Sequence, residues 1–341
     1  MNIHHDELVS LGVIFIDSQA NFLFSYLNSS FGFDESRYLT DYGRHYRVQH
    51  SFYFFEPSNI DEFTDICQFC TTRSIEFTIR GAGHSMNGSS LPSINALLIS
   101  TLRLNHVSSV SESTLNVECG AQIYQLNEWL SSFNCQLPVL HDGDGPAPTI
   151  GGFIRAGGFG SQSDVYGGFW DHVSRIYLWS ASNGCFDLDT SHPDFYSIFS
   201  SNNYSQVILS ADLSVFGLIP TSISSSNIQF RQHQHDYILW FTFICAIEDL
   251  RMLRKDILLL DQHLATFWRR LDPYFYSLKS SASSVPPCFF SRPHNGHLIA
   301  AGVWGEVDID DFTNRESLIS SVNEYHRKMP YACRYSQTEL L

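Results

Sequence analysis

Basic residues are scarce in this sequence: 20 lysines and arginines stand against 35 aspartates and glutamates, and the formal net charge is −15. Such a surplus of negative charge repels phosphate backbones, so a nucleic-acid partner is not expected. Charged residues make up only 16% of the chain, whereas hydrophobic residues make up 43%. That composition is typical of a folded globular protein and not of a disordered one.

The sequence also lacks a long apolar run and a secretory start. Its longest apolar stretch, residues 237–247, is about half as long as a bilayer requires, and it is interpreted as a buried strand. The segment from Met1 to Glu7 has neither the basic start nor the apolar core of a secretory signal. We therefore expect a cytoplasmic protein with no membrane partner, and the pattern leaves its oligomeric state open.

Eight cysteines are scattered through apolar segments, where they are expected to be buried, reduced thiols. Cys67 and Cys70 form a CxxC pair, but no second pair follows at the spacing of a zinc site. Both lie within a stretch of helical pattern, residues 60–73, and not at the end of a strand. We interpret them as two helix cysteines, and no metal site is predicted.

Strand-like and helix-like segments are interleaved along the chain, which predicts an α+β protein. Helices are predicted at 60–72, with Ser58 as the N-cap, and at 247–270. The dipeptide Asn183-Gly184 predicts the turn of a hairpin.

A serine-rich stretch at 221–227 suggests a domain boundary. We therefore expect one domain at 1–222 and a second at 223–341.

The segment 80–88 reads Arg-Gly-Ala-Gly-His-Ser-Met-Asn-Gly and follows a strand predicted at 75–79. Glycines permit positive φ and let consecutive N–H groups point into one concavity, which suits phosphate oxygens. The loop is not a Walker sequence, because no lysine follows its last glycine, and it does not match GxGxxG. By itself, the loop is also explained by tight turns around a solvent-facing His84.

A second glycine-rich stretch runs from Asp142 to Gly168 and contains nine glycines. Loops of this length without secondary structure are uncommon in compact domains and are usually functional. Two glycine-rich loops in one acidic domain suggest an extended ligand with a diphosphate in its middle. The alternative for the second stretch is an ordinary surface loop.

Taken together, these segments resemble the vanillyl-alcohol-oxidase superfamily over roughly residues 45–220, and in particular cytokinin dehydrogenases and berberine-bridge-like oxidases. The segment 80–88 looks like that family's R-G-x-G-H-S-x-N-G, and Thr149-Ile150-Gly151-Gly152 matches a cytokinin dehydrogenase pattern. The resemblance implies an α+β fold, with a two-subdomain PCMH-type FAD-binding domain and a shortened α+β substrate-cap domain that contains an antiparallel sheet.

The resemblance also implies FAD, linked covalently through His84, and it places Asp144 on the aspartate that accepts a proton from the substrate. Asp144 is equally a turn residue in His-Asp-Gly-Asp-Gly, and His141 and Asp142 are rival groups in the same loop. The cofactor-binding residues implied by the resemblance are Ile79, Gly81, Ala82, Gly83, His84, Ser85, Ser89, Asp144, Thr149, Gly151, Gly152, Arg155, Phe159 and Ile208.

The function implied is that of an FAD-dependent oxidoreductase similar to cytokinin dehydrogenase. It would oxidise a C–N or C–O bond of a small-molecule substrate by hydride transfer to flavin, with O2 or another acceptor taking the electrons.

Several departures from the family pattern favour an alternative. Arg155 and Ala156 stand where the family usually has serine and asparagine, the family's glycines are missing at 202–207, and the chain stops soon after Tyr331. The last two of these differences favour a truncated, non-catalytic flavin-binding relative. A short FAD reductase of the same superfamily is a further alternative.

Overall fold

The computed structural model describes residues 5–16, 36–42, 46–141, 147–160, 162–199, 205–219, 225–227, 238–264, 268–279, 297–307, 312–329 and 332–334. The α-helices are α1 (His5–Ser10), α2 (Ser36–Leu39), α3 (Ile60–Thr72), α4 (Ile123–Ser131), α5 (Ile150–Ala156), α6 (Ser163–Tyr166), α7 (Leu250–Leu264) and α8 (Phe312–Arg327). Short 3-10 helices cover Phe169–His172, Phe195–Ile198 and Ile247–Asp249. The strands are β1 (Ile14–Ile16), β2 (Phe52–Phe55), β3 (Phe77–Arg80), β4 (Leu97–Ser100), β5 (His106–Ser111), β6 (Thr114–Glu118), β7 (Val173–Ser180), β8 (Gly184–Asp189), β9 (Gln206–Ser214), β10 (Ser225–Asn227), β11 (Ile238–Ala246), β12 (Trp268–Lys279), β13 (His297–Val307) and β14 (Ala332–Arg334).

The described strands form three sheets. The first has the order β1-β2-β4-β3, and β4 lies between β2 and β3 and is parallel to both. The second has six strands in the order β10-β5-β6-β9-β7-β8, and all its pairs are antiparallel. The third, in the order β12-β13-β11-β14, is also antiparallel. The expected α+β class and the antiparallel sheet in the second half of the chain are confirmed.

Helix α3 connects β2 to β3 and has the bounds that the sequence predicts. Its N-cap is Asn59 and not Ser58, because the Asn59 side chain accepts the N–H of Glu62 at 2.9 Å. Ser58 instead donates from its backbone N–H and its hydroxyl to the Glu62 carboxylate, both at 2.8 Å. Asn59 therefore caps the helix, and Ser58 binds the side chain of Glu62 in its first turn.

Cys67 and Cys70 lie on the buried face of α3 as free thiols, which confirms the interpretation as helix cysteines. Burial raises the pKa of the Cys70 thiol to about 12 and raises the pKa of Cys67 further. Both side chains are neutral near pH 7 and serve as small apolar groups in the core.

The helix predicted at 247–270 is wrong in its last part. The α-helix ends at Leu264, and Trp268–Lys279 forms the edge strand β12. This stretch is rich in aromatic residues, which favour strands. Pro273 is a poor residue for a helix interior but is tolerated on an edge strand.

The third sheet contributes to two apolar clusters, because successive side chains of a strand point to opposite faces. Ile244 belongs to the large core that includes the first two sheets, whereas Phe241 and Phe243 belong to a second cluster with residues of α7. Met86, from the glycine-rich segment 80–88, is buried in this second cluster. That loop is therefore packed against the C-terminal part of the chain.

Strand β10 pairs with β5, so the six-stranded sheet includes residues beyond 222. The division into domains at 1–222 and 223–341 stays a prediction.

Candidate functional site

The segment 80–88, called here the His84 loop, begins where β3 ends. The Arg80 guanidinium is buried beneath it and donates to the carbonyl of Ser90 at 3.2 Å and to the Ser90 hydroxyl at 3.1 Å. Gly83 has a φ of +75°, and a Cβ at that position would lie 2.1 Å from Nη2 of Arg80. Position 83 thus requires glycine both for its backbone conformation and for the guanidinium packed against it.

The side chain of His84 lies inside the protein, with 6% of its surface exposed. Its imidazole is stacked on the Tyr42 ring, with centroids 4.2 Å apart and an interplanar angle of 13°. The His141 ring meets it edge to face, with a centroid distance of 4.5 Å and an angle of 79°. The alternative of a solvent-facing histidine is therefore wrong.

Three consecutive residues that precede the His84 loop in sequence, Thr40 to Tyr42, hold it in place; we call them the 40–42 segment. The Thr40 carbonyl accepts a hydrogen bond from Nη2 of Arg80 at 2.9 Å, and the Tyr42 N–H donates to the Ser85 carbonyl at 3.0 Å. The buried Asp41 carboxylate accepts the N–H of Gly88 at 3.2 Å.

The second glycine-rich stretch meets the first at Gly81. A Cβ on Gly81 would lie 2.2 Å from Oγ1 of Thr149, so the two loops touch at a position where any side chain would separate them. Thr149 is the N-cap of α5, and its hydroxyl accepts the N–H of Gly152 at 3.3 Å. A Cβ on Gly151 would lie 2.8 Å from Cβ of Cys119, so this glycine lets α5 pack closely on the end of β6.

The backbone donors of the two loops differ. Among the described residues, no carbonyl accepts the N–H groups of Gly81, Ala82 or Gly83. In the second loop, by contrast, the N–H groups of Ile150 and Gly151 donate to carbonyls of the chain, each at 2.8 Å. The His84 loop therefore offers consecutive donors to a ligand, whereas the second loop contributes close packing.

The remaining implied binding residues are distributed around these two loops. Ser85 donates to Oδ1 of Asn87 at 2.6 Å and lies 3.0 Å from the Ser89 hydroxyl. Arg155, in the last turn of α5, donates from Nη2 to the Gln206 carbonyl at 2.5 Å.

The other implied positions are placed as follows. Ile79 lies in β3, and Phe159 and Ile208 are buried. Asp144 and Asp142 lie outside the described residues.

His141, whose ring contacts that of His84, has a clearly shifted pKa. Burial lowers the pKa of its imidazole to about 4, so the ring is neutral at pH 7. The Tyr124 hydroxyl donates to the backbone carbonyl of His141, and the His141 ring lies 6.2 Å from that of Phe153. The same burial disfavours the protonated ring, so His141 is a weak base in the folded protein.

Within the described ranges, no group of three or more histidine, cysteine, aspartate or glutamate side chains is arranged to hold a metal ion. No helix in the same part of the chain combines the length and apolarity needed to cross a membrane.

Comparison with known proteins agrees with this geometry. Residues 53–186 match the family model described as FAD binding domain. Reticuline oxidase from Papaver somniferum is 28% identical over 144 residues, which cover 41% of this chain and 26% of that protein. The resemblance of this segment to the FAD-binding domain of the vanillyl-alcohol-oxidase (PCMH-type) superfamily is therefore confirmed. A D-lactate dehydrogenase from Archaeoglobus fulgidus is 26% identical over 132 residues, which cover 38% of this chain and 29% of that protein. The matches thus span less than a third of these relatives.

Solved structures share the fold of this chain. Phl p 4, a grass pollen allergen with glucose dehydrogenase activity, superposes with a TM-score of 0.65 at 12% identity, covering 96% of this chain and 86% of that one. Glucooligosaccharide oxidase from Acremonium strictum, whose FAD is 6-S-cysteinyl and 8α-N1-histidyl, gives 0.51 at 15% identity, covering 98% and 60%.

The residues of the His84 loop fit FAD in this FAD-binding domain. A diphosphate requires several N–H donors that point to a common concavity, and the consecutive amides of Gly81, Ala82 and Gly83 have no carbonyl partner among the described residues. The imidazole that would meet the flavin ring lies in the same loop, directly after these donors.

Proposed function

We propose that this protein is an FAD-dependent oxidoreductase that oxidises a C–N or C–O bond of a small molecule, with its flavin attached to His84. The observation that carries the proposal is a buried imidazole that directly follows three backbone N–H groups with no carbonyl partner among the described residues. The histidyl FAD of glucooligosaccharide oxidase, a protein of the same fold, supports the attachment.

The His84 loop supplies both parts of the cofactor site. The amides of Gly81, Ala82 and Gly83 hold the diphosphate, and His84 fixes the position of the flavin ring. His84 would hold the flavin through a C–N bond that replaces one C–H bond of the 8α-methyl group, and the two hydrogens lost, one from carbon and one from nitrogen, would reduce O2 to H2O2. When bound, FAD supplies the hydride acceptor for the substrate.

Asp144 is proposed as the base that takes the N–H or O–H proton of the substrate while hydride leaves the adjacent carbon. His141 is a second candidate at the same loop, since its burial keeps it neutral at pH 7. The resemblance to cytokinin dehydrogenases favours a secondary amine of the cytokinin type as the substrate, which would yield an imine. O2 or another acceptor takes the electrons, and the C-terminal part, at 223–341, covers the substrate.

The experiment that tests the attachment is an absorbance spectrum of the purified protein before and after acid precipitation. We expect a yellow protein whose colour stays in the pellet. The variant His84→Ala should release its flavin to the supernatant, whereas His106→Ala, at an exposed histidine of β5, should behave as the wild type. A colourless wild-type protein would contradict the proposal. A yellow protein that no substrate bleaches would indicate a non-catalytic flavin-binding relative.

The role of Asp144 is tested by Asp144→Asn. The substitution keeps the size of the side chain but removes its ability to accept a proton. We expect flavin reduction by the substrate to slow by about 10²- to 10⁴-fold, the usual contribution of a general base, with unchanged flavin content. Stopped-flow measurement of flavin bleaching gives the rate. The variants Asp142→Asn and His141→Gln serve as comparisons, and an unchanged rate in Asp144→Asn would assign the base to another residue.

A further inference from the structure

We propose that the 40–42 segment orients the imidazole of His84, with Tyr42 as a positioning residue that acts through the stack between the two rings. The inference rests on the proposed function, in which the same imidazole holds the flavin. It concerns three residues that lie before the matched FAD-binding region, which begins at residue 53.

The orientation of the His84 ring needs an external support. The χ2 torsion of histidine is a broad, roughly two-fold rotation, so the side chain alone does not fix the plane in which its ring lies. The backbone around His84 is rich in glycine, which restricts the chain less than any other residue does. A reacting nitrogen must nevertheless be held close to its productive position, because small displacements cost large factors in rate.

The 40–42 segment supplies this support at several points along the loop. Arg80 donates to the Thr40 carbonyl at the start of the loop, the Tyr42 N–H binds the Ser85 carbonyl next to His84, and Asp41 binds the N–H of Gly88 at the end. These three hydrogen bonds bracket position 84.

The Tyr42 ring then covers one face of the imidazole. The centroid distance of 4.2 Å and the interplanar angle of 13° describe stacked rings in van der Waals contact. His141 meets His84 edge to face from a different direction. Rotation of the His84 ring out of this plane about χ2 would break the stack with Tyr42, so the stack fixes the plane of the imidazole.

The first test measures the orientation directly and does not depend on flavin attachment. In the full-length chain, produced without riboflavin and labelled at histidine Cε1, the His84 signal is assigned by its loss in His84→Gln. The ring current of Tyr42 should move this signal upfield relative to exposed histidines such as His106. The shift should persist in Tyr42→Phe, which keeps the ring, and should disappear in Tyr42→Leu.

The second test measures the consequence for attachment. FAD is added to each flavin-free chain, and the rate at which flavin becomes resistant to acid extraction is followed. We expect Tyr42→Phe to match the wild type and Tyr42→Leu to be slower by about fivefold. That factor corresponds to about 1 kcal/mol, at 1.4 kcal/mol for each factor of ten. The matched control is Tyr196→Leu, which removes a tyrosine ring whose neighbours are Phe195 and Phe199.

The outcomes separate this inference from the proposed function. A histidine shift that is the same in wild type and Tyr42→Leu overturns the inference, even if His84 carries flavin. If no chain ever retains flavin after acid treatment, the proposed attachment fails, and the histidine shift alone decides whether Tyr42 orients the ring. If Tyr42→Leu does not fold, the position of the His84 signal in the wild type and in Tyr42→Phe decides the matter: no upfield shift in either protein contradicts the stack.

Discussion

Gly81 and Gly83 are both glycines of the His84 loop, yet each is required for a different reason. Gly83 has a positive φ and packs on Arg80, whereas Gly81 is needed because Thr149 of the second loop occupies the space of a side chain. The contact at Gly81 joins two stretches that are distant in sequence. The reason that position 81 requires glycine is therefore a tertiary contact, and the residues next to it in sequence do not reveal that contact.

We predict that Gly81→Ala separates the two loops and weakens FAD binding. The added Cβ would lie 2.2 Å from Oγ1 of Thr149, a distance that forces one loop to move. The measurement is the flavin content of the purified protein. Gly184→Asn is the control, since no atom lies within 4 Å of a Cβ at Gly184, and asparagine tolerates its φ of +65°.

The same contact can be tested by a double variant. Thr149→Ala removes the hydroxyl that the new Cβ meets, so Gly81→Ala combined with Thr149→Ala should recover part of the lost flavin. The recovery is expected to be partial, because Thr149 also caps α5. A double variant that binds no more flavin than Gly81→Ala would rule out the steric explanation.

At the level of single residues, the sequence supports a prediction where a motif is local and supports none where contacts are distant. The segment 80–88 has its glycines and histidine in one continuous stretch, so a cradle for phosphate could be predicted from it. Tyr42 and Asp41 show no periodicity, and their role arises only when the chain folds back on the loop. Their position before the matched family region left no motif that would have revealed them.

The cap of helix α3 shows how far an element can be predicted. The bounds of α3 follow from its apolar spacing, but the choice between two adjacent polar residues as N-cap depends on backbone torsions. The prediction of 247–270 as one helix was wrong in its last part. The helical pattern of the sequence continues past Leu264, but the residues from Trp268 onwards form a strand that pairs with the third sheet. Pairing with β13, the next strand along the chain, decides the structure of Trp268–Lys279, and the helical pattern at 247–270 gives no sign of that partner.

We predict that Asn59→Ala lowers the free energy of unfolding by about 1 kcal/mol, the usual cost of losing an N-cap side chain. The Asn59 side chain satisfies the N–H of Glu62, which has no partner within the helix. Urea denaturation followed by circular dichroism measures the change. Asn59→Asp keeps an acceptor oxygen and should be close to the wild type, whereas a loss in Asn59→Asp equal to that in Asn59→Ala would exclude the capping role.

For the molecule as a whole, buried His141 makes stability depend on pH. Its pKa is about 4 in the folded protein, below the value of about 6.5 for an unfolded chain, so the unfolded state binds more protons between these values. The stability that neutral His141 contributes is thus fully present above pH 6.5 and is lost progressively as the pH falls towards 4. From the difference of the two pKa values, the loss through this group is about 3 kcal/mol.

This prediction is checked by measuring urea denaturation midpoints between pH 7 and pH 4. The variant His141→Gln has no imidazole to titrate, so its midpoint should fall less steeply with decreasing pH than that of the wild type. His106→Gln, at an exposed site, should keep the wild-type slope. Identical slopes in wild type and His141→Gln would show that His141 is protonated as easily in the folded protein as in the unfolded chain.

Met86 lies two residues after His84, and its side chain is buried with Phe241, Phe243 and residues of α7. Lifting the third sheet away from the rest of the molecule would pull this methionine out of an apolar environment and expose its neighbours to water. The His84 loop and the third sheet are therefore connected through the packing of Met86. A movement of the third sheet relative to the rest of the molecule would therefore displace the loop that carries His84.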